Sequence, residues 1–140
     1  MAEYLLKSRL PSDFPWVVMS AGLGAFNGAP PSEASVKVMK EYGIDIRKHR
    51  SRQVDESLIK NSDLVITMTR SQAEEIKYKY PSAAANVYVL NSFSPVKRTN
   101  GEEDIIDPIG LSEDVYRNVR DQIDIALTGL LSFMQAIEKN

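Results

Sequence analysis

Apolar positions come in short clusters along the first two-thirds of this chain and in one long helical stripe at its end. Residues 1–9 set Leu5 and Leu6 among charged neighbours, which suits a short helix that starts without a capping residue. Pro11 and Pro15 break it. Val17, Val18 and Met19, after Trp16, form an apolar run expected to be a buried strand, and Ser20-Ala21-Gly22 opens a small-residue loop that runs to Pro31. Ser32 is placed to cap a helix whose buried face carries Ala34, Val38, Met39 and Tyr42, with Gly43 ending it. Ile44 and Ile46 fall in an extended connection, and Asp55 can cap a short helix through Leu58 and Ile59. Leu64 to Met68 is a run with no polar alternation, the pattern of a strand covered on both faces.

Thr69 or Ser71 starts the next helix, with Ile76 and Tyr80 on one side and Pro81 as its stop. Val87 to Leu90 reads as a further strand, and a polar loop from Asn91 to Asp104 leads to Ile105-Ile106-Asp107-Pro108. Ser112 then caps a long helix that faces the core with Val115, Val119, Ile123, Leu127, Leu130 and Met134. Gly129 inside it costs about 1 kcal/mol against alanine, which packing must offset. Strands alternating with helices predict an α/β fold, a parallel sheet between helices on both faces, and a single domain over residues 1–140. Only three strands can be counted, and the first element is a helix that no strand feeds.

Composition narrows the chemistry. A net charge of −2 gives no general basic face for nucleic acid, although Arg47, Lys48, Arg50 and Arg52 cluster locally. The chain contains no cysteine, so disulfides, thiolate metal sites and a cysteine nucleophile are all excluded within these residues. His49 is the only histidine, which excludes a multi-histidine metal site. No stretch approaches the roughly 18 apolar residues of a membrane span. A cytoplasmic protein with no cofactor, no metal and no membrane partner is the expectation.

Four segments then fall in the order of one family. Met1-Ala2-Glu3-Tyr4-Leu5-Leu6 resembles the helix that follows the C-x5-R-S-P phosphate loop of the low-molecular-weight protein tyrosine phosphatases. Ser20-Ala21-Gly22 with Gly28-Ala29-Pro30-Pro31 resembles their second strand and the loop that walls the cleft. Gly43-Ile44-Asp45 with His49-Arg50-Ser51-Arg52-Gln53 is similar to their G-I-D and H-x-(S/A)-R-Q stretch, and Asp107-Pro108-Ile109-Gly110 to their D-P-(Y/F)-G loop.

The resemblance implies hydrolysis of a phosphorylated protein or small phosphoester through a phosphocysteine. A cysteine thiolate attacks phosphorus, backbone N–H groups and an arginine hold the phosphoryl oxygens, and an aspartate protonates the leaving oxygen. It assigns Asp107 as that general acid. Pro108 restricts Asp107 to extended conformations, although an Asp-Pro pair alone is an ordinary turn. Ser20 and His49 match side chains that hydrogen-bond the phosphate loop. Phe26, Asn27 and Ile109 match the wall of the cleft. Ile109 stands where the family has Tyr or Phe, which leaves relatives that act on phosphoarginine or reduce arsenate open. The family's first strand and cysteine-bearing loop would precede Met1, with that strand central, between those matched by residues 17–20 and 64–68. The chain is therefore expected to be N-terminally incomplete and catalytically inert as it stands. The alternative is a binding protein that kept the cleft without the chemistry.

Overall fold

The computed structural model describes residues 1–96 and 103–138, so part of the polar loop expected at 91–104 lies outside the described residues. Those described gather into two compact units, Met1–Val54 with Asp107–Asp124, and residues 55–106 with 125–140.

The first unit opens with helix α1, Ala2–Arg9, which buries Leu5 and Leu6 and has no side-chain cap at its start. Helix α2, Glu33–Lys40, begins at Ser32, whose hydroxyl accepts from Ser35 N–H at 3.2 Å. Val38 and Met39 are fully buried on its inner face. Gly43 turns the chain out of this helix with φ +73°, a conformation costly for any residue with a Cβ. Tyr42 does not join the buried face as expected. Its ring is partly exposed and lies 4.0 Å from the guanidinium carbon of Arg120.

Arg120 belongs to helix α5, Glu113–Glu138, of which residues 113–124 fall in this unit. Its buried guanidinium donates to Val38 O at 2.7 Å, Glu41 Oε1 at 2.7 Å and Asp121 Oδ1 at 2.9 Å. Arg117 Nη2 donates to the other Glu41 oxygen at 2.7 Å. Hydrogen bonds from Arg117 and then Arg120 hold the Glu41 carboxyl down to about 2. Tyr116, Val119 and Ile123 are buried beside them. The α2–α5 contact thus combines an apolar seam with a charge network whose central cation is satisfied on three sides.

Residues 17–19 depart from expectation. Val17 is 82% exposed and Met19 52%, no strand forms there, and among the described residues the backbone of 17–20 makes no hydrogen bond. A strand exists only where a neighbour takes its N–H and C=O groups. An apolar run marks a segment suited to pairing, not one that has paired. Further along, Gly22 pairs with Gln53 in a parallel bridge, through Gly22 N to Arg52 O and Val54 N to Gly22 O, both 2.9 Å.

The second unit holds helix α3, Glu56–Lys60, capped by Asp55, whose Oδ1 accepts from Leu58 N–H at 2.8 Å. Strand β1, Val65–Thr67, follows and pairs in parallel with strand β2, Val87–Val89, in the register Val65 to Val87. Their connection is helix α4, Arg70–Lys79, started by a capping box in which Thr69 and Gln72 satisfy each other's backbone. A 3₁₀ turn from Pro81 to Asn86 follows it. This is an α/β unit with a parallel sheet, although β1 is shorter than the run predicted and only Thr67 in it is buried. Beyond β1, Ile105 N–H donates to Met68 O at 2.9 Å, and Asp104 Oδ1 accepts from Arg70 N–H at 2.8 Å.

In the rest of α5, Ala126, Leu127, Leu130 and Met134 are buried. Phe133 meets Tyr88 and Phe93 with ring centroids 5.5 and 5.2 Å apart. Gly129 faces Phe93, and a Cβ built on it would lie 1.8 Å from the Phe93 carbonyl oxygen. Among the described residues no helix is long and apolar enough to cross a membrane.

Candidate active site

Helix α1 places Glu3, Tyr4 and Lys7 on neighbouring turns, and two of the residues singled out in the sequence come to this patch. The Glu3 side chain is only 9% exposed. Its Oε2 accepts from Lys7 Nζ and its Oε1 from Ser20 Oγ, both at 2.8 Å. His49 packs edge-on against the Tyr4 ring, with centroids 5.4 Å apart and planes at 89°. Burial pushes the Glu3 carboxyl up, yet the hydrogen bonds from Lys7 and Ser20 outweigh it and leave the group below its usual range. Burial pushes the His49 imidazole down, against the opposing pull of the Glu3 carboxylate.

These shifts set a pH dependence. With its folded value below the ordinary 6.5, His49 takes a proton more readily in the unfolded chain, so stability is intact above 6.5 and falls as pH drops below it. Glu3 adds a second loss below its ordinary 4.5. Melting temperature followed against pH is expected to begin falling below 6.5. It should fall further as Glu3, Glu41 and the other ion-paired carboxylates take up protons, and His49→Gln should remove the upper part of the decline alone. A profile that the substitution leaves unchanged would show that His49 titrates equally in both states.

Phe26 and Asn27 sit in a loop tied tightly to residues 51–53. The Ser51 hydroxyl donates to Phe26 O, and Ala29 N–H donates to Ser51 Oγ at 3.1 Å. Gly28 N–H reaches Ser51 O at 2.7 Å, Ser51 N–H reaches Ala29 O at 2.9 Å, and Asn27 Oδ1 accepts from Gln53 N–H at 2.9 Å. The loop is thereby fixed while the Phe26 ring projects into solvent, 85% exposed.

Asp107 is exposed, and its Oδ1 accepts from Ile109 N–H at 3.1 Å, closing a small turn over the buried Pro108. Ile109 is 72% exposed at the turn's tip, and Gly110 follows with φ +77°. The turn leaves Asp107 with a solvent-facing carboxylate on a stiff mount. A cavity of about 480 Å³ lies between Lys7 of α1, Leu10 just beyond its end, and the segment that carries Pro11, Phe14, Trp16 and Met19. None of the six predicted site residues lines it.

The structure therefore brings Ser20 and His49 to a common patch and fixes Phe26 and Asn27 on one loop. Among the described residues, Asp107 and Ile109 make no hydrogen bond to either group. Two residues escaped the sequence reading. Glu3 stood only as a member of the Met1–Leu6 segment and Ser51 only as the S/A position of the His49–Gln53 stretch, neither with a role of its own. No metal-holding group of His, Cys, Asp or Glu occurs among the described residues.

The model of the low molecular weight phosphotyrosine protein phosphatase family matches residues 1–140. The chain belongs to that family. It is 36% identical over 108 residues to a Ralstonia nicotianae protein described as "Probable low molecular weight protein-tyrosine-phosphatase EpsP", covering 77% of this chain and 68% of the relative. An arsenate reductase of Staphylococcus aureus is 35% identical over 132 residues, 94% of this chain and 86% of that protein. In structure, the chain resembles the YwlE arginine phosphatase of Geobacillus stearothermophilus with a TM-score of 0.83 at 30% identity, covering 98% of this chain and 84% of that one. Phosphatase and reductase names thus both occur among the chain's relatives. The phosphatase members of the family are hydrolases that act on phosphorylated proteins or small phosphoesters.

Proposed function

We propose that this chain is the acid-bearing scaffold of a protein tyrosine phosphatase that hydrolyses phosphoesters through a phosphocysteine, and that the 140 residues alone do not turn over. One observation carries the reading. The family model matches the whole chain, yet the chain contains no cysteine. The nucleophile and the loop of N–H donors and arginine must then come from outside these residues. In the complete reaction the thiolate attacks phosphorus and the ester P–O bond breaks. Asp107 passes its proton to the departing oxygen. Water then attacks the phosphocysteine, with Asp107 as base, and releases phosphate and the thiolate.

The roles of the remaining residues follow from their positions. Ser20 and His49 would support the phosphate loop, and their present partners, Glu3 and Tyr4, belong to the helix that follows that loop in the family. Phe26 offers an aromatic wall on a fixed loop. With Ile109 where the family has Tyr or Phe, selection for phosphotyrosine rests on one ring. Phosphoarginine, the substrate class named for one relative, remains the competing choice.

The test compares phosphate release from p-nitrophenyl phosphate by the 140-residue chain and by the chain extended with a strand and C-x5-R loop. No release by the first and turnover by the second is expected. Removing the nucleophile outright costs on the order of 10⁶ in rate in a serine hydrolase. Sustained release by the 140-residue chain through successive purification steps would overturn the proposal. The competing reading, a binding protein that never uses the chemistry, takes support from the same missing cysteine. It is favoured instead if the extended chain folds cooperatively and still releases no phosphate.

A further inference from the structure

Residues 47–52 carry Arg47, Lys48, Arg50 and Arg52 without one acidic residue among them, in a chain of net charge −2. All four are exposed. Asp45 neutralises Arg47 through a forked contact, Nε at 3.0 Å and Nη2 at 2.8 Å. Among the described residues, Lys48, Arg50 and Arg52 make no ion pair with a carboxylate. Arg50 is nonetheless held in place, because its Nη1 donates to the backbone oxygens of Arg47 at 3.0 Å and His49 at 2.7 Å. Its charge is thus fixed in position and left without a counter-ion, and a partner that meets it loses little side-chain entropy.

The same segment carries the Phe26 loop. Ser51, between Arg50 and Arg52, bonds to Phe26 O, Gly28 N–H and both backbone faces of Ala29. Gln53 adds its N–H to Asn27 and its side-chain amide to Leu23 O at 2.7 Å. An exposed aromatic ring and three uncompensated cations therefore ride on one hydrogen-bonded piece. A solvated basic face needs neither the ring nor the fixation, and an apolar patch needs no cations. Together they fit an extended chain that alternates acidic and apolar side chains.

We propose that Lys48, Arg50, Arg52 and Phe26 form a docking surface for an acidic, extended segment of a phosphoprotein, with an apolar side chain of that segment seated on Phe26. The identity of the partner as a phosphoprotein rests on the phosphatase reading above. The docking contacts themselves need no phosphate and no cysteine, so they can be measured on the 140-residue chain.

The probe is a short, labelled, unphosphorylated peptide alternating glutamate and leucine, followed by fluorescence anisotropy. Its counterpart with glutamine for glutamate, and an oligothymidine strand, serve as comparators. The acidic peptide is expected to bind about tenfold more tightly than the glutamine version. It should weaken by a similar factor when Lys48→Glu and Arg52→Glu are combined, and again with salt. Phe26→Ala should lower affinity for both peptides, with helical circular dichroism unchanged in every variant. Affinity indifferent to the charge reversal would overturn the proposal. So would oligothymidine binding as tightly as the acidic peptide with the same dependence, since the surface would then recognise polyanions in general. Either failure leaves the hydrolysis test untouched, and a loop-bearing chain that releases no phosphate sinks the phosphatase reading while the anisotropy result stands.

Discussion

Asp107→Ala, made in the chain extended with a cysteine-bearing phosphate loop, is expected to slow hydrolysis of phosphotyrosine about 10²–10⁴-fold. The size of the loss should depend on the leaving group. A tyrosine phenol has a pKa near 10 and leaves poorly as an anion, so it needs the proton. A nitrophenolate departs far more readily without one, so p-nitrophenyl phosphate should suffer less. Formation of the phosphocysteine should become rate-limiting for the phenolic substrate, visible as a lost burst. The turn that holds Asp107 makes the test clean, since the carboxylate is exposed and its bond is to the N–H two residues on. Equal losses on both substrates would argue for a positioning role. An unchanged rate would remove Asp107 from proton transfer altogether.

Gly129→Ala carries the largest expected effect on stability. Helix propensity alone favours the alanine by about 1 kcal/mol. Against this, the new Cβ would meet the Phe93 carbonyl oxygen at 1.8 Å, its carbon at 2.8 Å and the Phe93 Cβ at 3.2 Å. Two of these atoms are backbone and cannot swing aside, so the turn that carries Phe93 or α5 itself must shift. Overpacking of this kind costs about 1–3 kcal/mol and occasionally more. A contact this close belongs at the upper end, so the net loss should be about 2 kcal/mol despite the better helix former. Urea unfolding followed by circular dichroism reads it directly. An alanine variant equal to or more stable than the parent would mean that the Phe93 turn yields at little cost.

Gly129 also shows where sequence reading stops. The position was legible as a helical glycine that packing must justify, but the partner that justifies it lies on a turn far away in sequence. Local signals were read correctly wherever the physics is local. Ser32, Asp55 and Thr69 cap helices because a side-chain oxygen reaches the N–H three residues on. Gly43 ends α2 because the chain there must take a positive φ. The register of motifs from Met1 to Gly110 pointed to the family whose model matches the chain.

What failed depended on partners. Val17 to Met19 has strand composition, yet pairing is a property of two segments. Tyr42 fell on the apolar spacing of α2 but stands over Arg120, a contact that no helical period encodes. Glu3 and Ser20 are 17 positions apart, and their bond exists only because α1 lies against the segment that follows it. Of the candidate site, the residue types could be read in advance. Their present hydrogen bonds could not.

Trp16 gives this molecule a built-in reporter. It is the sole tryptophan of the chain, and it lines the cavity of about 480 Å³ beside α1. Any apolar segment that settles in that hollow must displace water from the indole, moving its emission to shorter wavelength and shielding it from iodide or acrylamide. Filling of the hollow can thus be followed by intrinsic fluorescence, at protein concentrations far below those that other spectroscopies demand and without attaching a dye.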